Sequence, residues 1–201
     1  MMLVIIIGMI MAYLFGSIPF SFLVAWVWGV DLRVIGSGNI GSANVWRSCG
    51  FRAFLLAIVL DFLKGAIPTY IAIYSLALSP MAVILIGASA ILGHTFPVFM
   101  RFKGGKAVAT SGGVLLAVFP AAMIIGAITW AIILRLVRIS SVASLTAASV
   151  VVVMTLITFV AGNMEPVYAG FICAAAALVL VLHRSNIQRL LAGEENRFQQ
   201  L

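Results

Sequence analysis

AVATSGGVLLAVFPAAMIIGAITWAIILRLV, residues 107–137, is apolar almost throughout, with Arg135 near its end and Pro120 near its middle. A helix that crosses a bilayer needs about 20 apolar residues. The stretch is too long for one ordinary crossing. Cut at the proline, it gives two helices of about 12–17 residues, or roughly 18–25 Å each. The choice sets the number of crossings and the side on which the rest of the chain lies.

Outward from this stretch the chain is mostly apolar. Runs at about 2–28, 53–76, 82–99, 142–161 and 166–182 read as helices, because backbone polar groups cannot stay unsatisfied in hydrocarbon. A count of long apolar windows gives five crossings. Of 201 residues, 64% are hydrophobic and 8% charged; a soluble domain carries roughly 25% charged residues. The expected fold class is therefore all-α, a polytopic integral membrane bundle, with one membrane-embedded domain over 1–201. The first run has no basic segment before it, so it reads as a crossing and not as a cleaved leader. Cys49 and Cys173 lie in unlike surroundings and suggest neither a disulfide nor a metal site. The net charge of +7 suits anionic headgroups or an anionic substrate. Nucleic acid is not an expected partner, since no long basic arm or soluble fold is there to bind it.

The basic residues are grouped. Arg33, Arg47 and Arg52 lie in the polar loop 29–52, and Arg101, Lys103 and Lys106 in the loop 100–106. Arg135 and Arg138 precede Ser140 and Ser141, while Arg184, Arg189 and Arg197 lie in the tail. Lys64 falls inside an apolar run. The connections at 77–81 and 162–165 have no Lys or Arg. Basic segments face the cytoplasm, so the N-terminus is expected outside and the C-terminus inside. A single crossing over 107–137 would leave Arg135 and Arg138 outside. The expectation is therefore seven transmembrane helices, two of them short, folding back near Pro120 with help from local thinning or neighbouring helices.

That topology sends four polar elements to one face: GSGNIGSANVWR (36–47), HTFPVFMRFKGGK (94–106), RISS (138–141) and HRSNIQRLLAGEENR (183–197). In the first, Gly36, Gly38 and Gly41 permit positive φ. Successive N–H groups in such a loop can converge on an anion. Ser37, Asn39, Ser42 and Asn44 add side-chain donors, and Arg47 adds a planar fork for phosphate. A plain turn would need fewer small polar residues, so phosphate binding is the preferred reading. The Walker spacing is absent, and no strand precedes the GxGxxG pattern. KGGK could hold an oxyanion or simply meet lipid headgroups. His94 is either a helix-end histidine or a candidate base. His183 opens the tail beside Arg184 and Asn186, where an interfacial cluster is the plainer alternative. Asp61 and Lys64 are three apart and read as a structural pair. There is no GxSxG elbow, no carboxylate dyad and no metal-ligand cluster. Metal and cofactor are both expected to be absent. The chemistry then rests on donors and cations around an already activated anionic substrate.

These elements together resemble the bacterial PlsY-type family, the acyl-phosphate:glycerol-3-phosphate acyltransferases. The resemblance is carried by GSIPF (16–20), IGSGNIGSANVWR (35–47), DFLKG (61–65), GHTFPVFMRFKGGKAVAT (93–110) and HRSNIQRLLAGEENRF (183–198). It implies a seven-helix enzyme of the bacterial inner membrane with its active site toward the cytoplasm. Such an enzyme moves a fatty acyl group from acyl phosphate to the 1-hydroxyl of glycerol 3-phosphate, giving lysophosphatidic acid and phosphate for phospholipid synthesis. By the same resemblance, Ser37, Arg47, Lys106, Ser141, His183 and Asn186 would line the substrate site. The loop from Gly36 to Asn44 would hold the phosphate of the acyl phosphate. Partners would be the two substrates, the lipid bilayer and the soluble enzyme that supplies acyl phosphate. Ser37, Lys106, His183 and, in reserve, His94 are the catalytic candidates. Ser37 is expected to orient or activate glycerol phosphate and not to be acylated, with either a substrate phosphate, as the resemblance implies, or His94 as the base. The chain departs from the pattern at Ala43, where threonine is common, at Ala107, where glycine is usual, and at Ile139, where an aromatic is common.

Two other functions compete. A transporter or channel for a small organic anion should show internal repeats and midplane polar groups, and this chain shows neither. A structural subunit that binds anionic lipid would tolerate Lys→Arg exchange, whereas an oriented active site would not.

Overall fold

The computed structural model describes residues 1–198. Among these, every regular element is helical. They form two compact units, Met1–Ala117 and the chain from Val118 onward.

In the first unit the opening apolar run is two helices, α1 (Met2–Ser17) and α2 (Phe20–Val27). This corrects the expected single helix over 2–28. Pro19 disfavours helical geometry at the residue before it, and Ile18 is extended at φ −64°, ψ 118°. The Ile18 carbonyl leaves the helical ladder and accepts both the Phe20 N–H at 3.0 Å and Lys64 Nζ at 2.9 Å. The polar loop that follows also contains a helix, α3 (Ser42–Cys49), joined at Gly50 to α4 (Phe51–Tyr70). Trp46 of α3 stacks on Phe54 of α4 with ring centroids 4.4 Å apart. Val24, Ala25, Leu32, Ile40, Val45, Ala53 and Ala57 form one buried cluster that pins the loop between α2 and α4. Beyond a π-helical turn (Ile71–Ser75) come α5 (Pro80–Thr95) and α6 (Val108–Val118).

Close packing in this unit runs through glycines. A Cβ on Gly16 of α1 would strike the Ala90 carbonyl of α5, and one on Gly93 would strike the Tyr13 carbonyl. Gly65 of α4 meets the Thr110 carbonyl, and Gly113 of α6 meets the Phe62 carbonyl. Membrane helices associate through such small residues because lipid gives no hydrophobic drive between them. Gly113→Ala should therefore push α4 and α6 apart and destabilise the protein by about 1–3 kcal/mol. Thermal unfolding in detergent reads this as a lowered midpoint; a wild-type midpoint would refute the contact.

The second unit holds α7 (Pro120–Val137), α8 (Ser140–Val160), α9 (Pro166–Leu182) and α10 (Arg184–Leu191). Prolines open α7 and α9, where a missing N–H costs no hydrogen bond. Trp130 Nε1 of α7 donates to Ser144 Oγ of α8 at 3.2 Å. α10 bends 54° from α9. The Phe198 N–H donates to the Arg138 carbonyl at 2.8 Å, which ties the tail to the α7–α8 corner.

The helical break at Phe119–Pro120 is present. The lengths differ from the expected pair of short helices. α6 has 11 residues, about 16 Å, but α7 has 18, about 27 Å. Among the described residues, five segments are long and apolar enough to cross a membrane, or six if the bent pair α9–α10 counts as one span. Ile7, Ile10, Ile128, Val153 and Ile157 are among the apolar side chains left exposed, as a lipid-covered surface requires.

Candidate active site

The glycine-rich loop closes on one residue. Asn44 is buried, and its amide nitrogen donates to the carbonyls of Leu32, Ile35 and Asn39 at 3.3, 3.0 and 3.0 Å. Its Oδ1 accepts the Ser37 N–H at 3.2 Å. Asn44 is thus the hub of the loop, which corrects its expected part as a phosphate donor. The Ser37 amide is likewise engaged within the loop. Gly36 and Gly38 do adopt positive φ, at 64° and 69°. A side chain on Gly36 would also strike Asn44. Gly41 does not turn left-handed; at φ −100° it caps α3, which Ser42 begins. Arg47 projects from α3 and donates from Nη2 to Ser37 Oγ at 3.5 Å. The structure therefore brings together Ser37 and Arg47, while Asn39 and Ser42 of the same loop are half-buried. Arg33 is engaged elsewhere: it forks onto Asp31 at 2.7–3.2 Å and lies 5.2 Å above the Phe22 ring. Hydrogen bonding from Arg33 holds the Asp31 carboxyl below its ordinary value.

The KGGK segment docks on the end of α5. The Gly105 N–H donates to the His94 carbonyl at 3.1 Å. Side chains at Gly104 or Gly105 would run into Pro97 and the His94 ring. These glycines serve close backbone approach, and they set Lys106, half-buried, at the segment's end. Lys103 is exposed. Ala107 follows in the left-handed region at φ 59°. That conformation accounts for a preference for glycine at this position.

Beneath the segment lies a buried polar cluster. Asp61 and Lys64 are both 1% exposed, with Nζ 2.9 Å from Oδ1. His94 Nδ1 faces the same oxygen at 3.7 Å, and Ser21 Oγ donates to Asp61 Oδ2. Thr110 Oγ1 donates to the Asp61 carbonyl at 2.8 Å. The pair expected from spacing is present, but it belongs to a set that also holds Ser21 and His94. A small cavity is lined by Gly16, Ser17, Ile40, Asp61, His94 and Gly105 among others, so it touches both the glycine loop and KGGK. His94 has its two ring nitrogens against Asp61 and Gly105, which suits a packing role better than the reserve role of base.

In the second unit, Ser141, His183 and Asn186 are buried. His183 Nδ1 donates to the Val179 carbonyl at 2.8 Å, which in the neutral ring makes Nε2 the acceptor nitrogen. Ser141 Oγ donates to Glu195 Oε1 at 3.0 Å, and Asn186 Nδ2 donates to the same oxygen. Arg189 Nε donates to Glu195 Oε2 at 2.8 Å. Glu195 organises this group and was missed from sequence. The signal was there: an acid in a basic tail needs a cationic partner. Glu195→Ala should cost about 2–3 kcal/mol by removing the acceptor that Arg189, Asn186 and Ser141 share. Thermal unfolding checks it, and an unshifted midpoint would contradict the network. Among the described residues, no group of three or more His, Cys, Asp or Glu side chains is placed to hold a metal.

The family model described as glycerol-3-phosphate acyltransferase matches residues 6–193. A glycerol-3-phosphate acyltransferase of Roseiflexus sp. (strain RS-1) is 55% identical over 192 residues, 96% of this chain and 94% of the relative. One of Aquifex aeolicus (strain VF5) is 44% identical over 190 residues, 94% of this chain and 96% of the relative. The crystal structure of PlsY (YgiH), an integral membrane glycerol 3-phosphate acyltransferase, in its glycerol 3-phosphate form, matches at a TM-score of 0.88. That chain is 42% identical, with 96% of this chain and 95% of that one covered. Its lysophosphatidic acid form matches at 0.86, with 41% identity and the same shares covered.

Proposed function

We propose, for a chain that belongs to the glycerol-3-phosphate acyltransferase family, that its acyl donor is an acyl phosphate and that transfer is direct. The chain is a multi-pass membrane acyltransferase that acylates glycerol 3-phosphate, a step of phospholipid synthesis. The finer reading makes sn-glycerol 3-phosphate the acceptor at its 1-hydroxyl, with lysophosphatidic acid and phosphate as products. Residues 1–201 act as one acyltransferase domain; the family match from 6 to 193 runs through both units and supports this. The chain crosses the bacterial inner membrane seven times, N-terminus outside, with the chemistry on the cytoplasmic face. A soluble enzyme supplies the acyl phosphate from that side.

The observation that carries this reading is the Ser37–Arg47 pair, held by the Asn44 hub. A serine nucleophile is activated by an adjacent base; the side chain that meets Ser37 Oγ here is the Arg47 guanidinium, which suits orienting an anion. An acyl phosphate is a mixed anhydride with a good leaving group. The glycerol hydroxyl oxygen attacks the carbonyl carbon, and the bond from that carbon to the phosphate oxygen breaks. The hydroxyl proton passes to a substrate phosphate. Arg47 and Lys106 hold two anions that repel each other, and alignment of hydroxyl with carbonyl supplies much of the rate. In this reading the side-chain donors Asn39 and Ser42 stabilise the leaving phosphate and the developing oxyanion. The same reading assigns substrate binding to Ser141, His183 and Asn186 of the second unit, with His183 also a catalytic candidate.

The test is purified protein in lipid discs given glycerol 3-phosphate and either an acyl phosphate or an acyl thioester. Lysophosphatidic acid and phosphate should form together from the acyl phosphate. Product from the thioester alone would overturn the donor assignment.

A further inference from the structure

Ser17 ends α1 with no exposed surface, and its Oγ has no protein hydrogen-bond partner. Buried hydroxyls are rarely left in that state. Asp61 Oδ1 has unused capacity too. Lys64 Nζ is 2.9 Å away but outside hydrogen-bond angles, and His94 Nδ1, at 3.7 Å, is too far for a direct bond. Ser17, Asp61, Lys64 and His94 line the same cavity, which has room for about one water molecule. A polar gap wider than 3.5 Å is where a bridging water belongs. Three partners lie within the two to four that a buried water takes. The Asp61 carboxylate disfavours an anion there, and the Lys64 ammonium disfavours a cation.

The geometry points to a bound water that bridges Ser17 Oγ, Asp61 Oδ1 and His94 Nδ1, making Ser17 and Asp61 positioning residues for the Lys103–Lys106 segment. The link is His94. Its carbonyl accepts the Gly105 N–H, and its ring packs on Gly105 so closely that a Cβ there would lie 2.8 Å from Cε1. Any tilt of the ring moves Gly105, and the next residue is Lys106. The water joins α1, α4 and α5 at the point where that ring is held.

The chain has two histidines, His94 and His183. Ring nitrogen-15 NMR of histidine-labelled protein in lipid discs therefore shows two imidazoles, and His94→Gln assigns them. In wild type the His94 Nδ1 signal should be that of a hydrogen-bonded N–H. Ser17→Ala should shift it and leave His183 in place. The kinetic half of the test rests on the acyl-transfer reading above. Ser17→Ala should raise the KM for glycerol 3-phosphate about three- to tenfold, the range of one lost hydrogen bond, with kcat changed less. Ser17→Gly should behave alike, and a thermal midpoint for each variant shows that the fold is intact. An unmoved His94 signal, or an unmoved KM, overturns the proposal. Absence of wild-type turnover with acyl phosphate would sink the acyl-transfer reading and leave the NMR result standing.

Discussion

Lys106→Ala is expected to lower kcat/KM for glycerol 3-phosphate by about 10²–10³-fold, the range found when one preorganised donor is removed from a developing charge. The side chain is half-buried, so its ammonium acts in a medium less screening than water. Its position is fixed by the Gly105 N–H on the His94 carbonyl and by two glycines pressed against α5. A mobile surface lysine would lose far less. Lys106→Arg should rescue poorly, because the guanidinium is larger and planar and the backbone beneath it is fixed. Steady-state kinetics with both variants, alongside circular dichroism for the fold, checks this. Full activity of Lys106→Arg would favour a lipid-binding role for the loop.

Asp61→Ala is expected to destabilise the protein by about 3–5 kcal/mol, the cost of leaving a buried charge without its partner. Lys64 is 1% exposed and would keep the Ile18 carbonyl, a neutral acceptor. Ser21 would lose its acceptor as well. Asp61→Ala/Lys64→Met should recover much of the loss, since both charges are then gone. Thermal midpoints of wild type, Asp61→Ala, Lys64→Met and the double variant complete the cycle. A single variant as stable as wild type would mean that Asp61 carries little of the packing between α1, α4 and α5.

Pro120 made the break in 107–137 readable, because a proline inside an apolar run ends one helix and opens the next. α7 is longer than the expected helix of about 12–17 residues because it opens at Pro120 itself and carries on through Arg135 to Val137. α3 was not readable. Its residues, SANVWRSC, have no apolar run, and the helix is held by Trp46 stacking on Phe54. The Asp61–Lys64 spacing announced a pair, but nothing local joins it to His94, which arrives on α5. Asn44 was ambiguous in kind. An asparagine in a glycine loop can face a ligand or the backbone, and only the fold puts four backbone groups around it. Ser37 and Arg47 were each readable as donors to a phosphate from one glycine-rich stretch; their contact with each other comes from the fold.

Direct transfer is tested most plainly by acid quench of the enzyme mixed with labelled acyl phosphate and no glycerol 3-phosphate. The account predicts no acyl group on the protein and no burst of phosphate, with both products forming once glycerol 3-phosphate is added. A stoichiometric burst of phosphate with the label on Ser37 would contradict it.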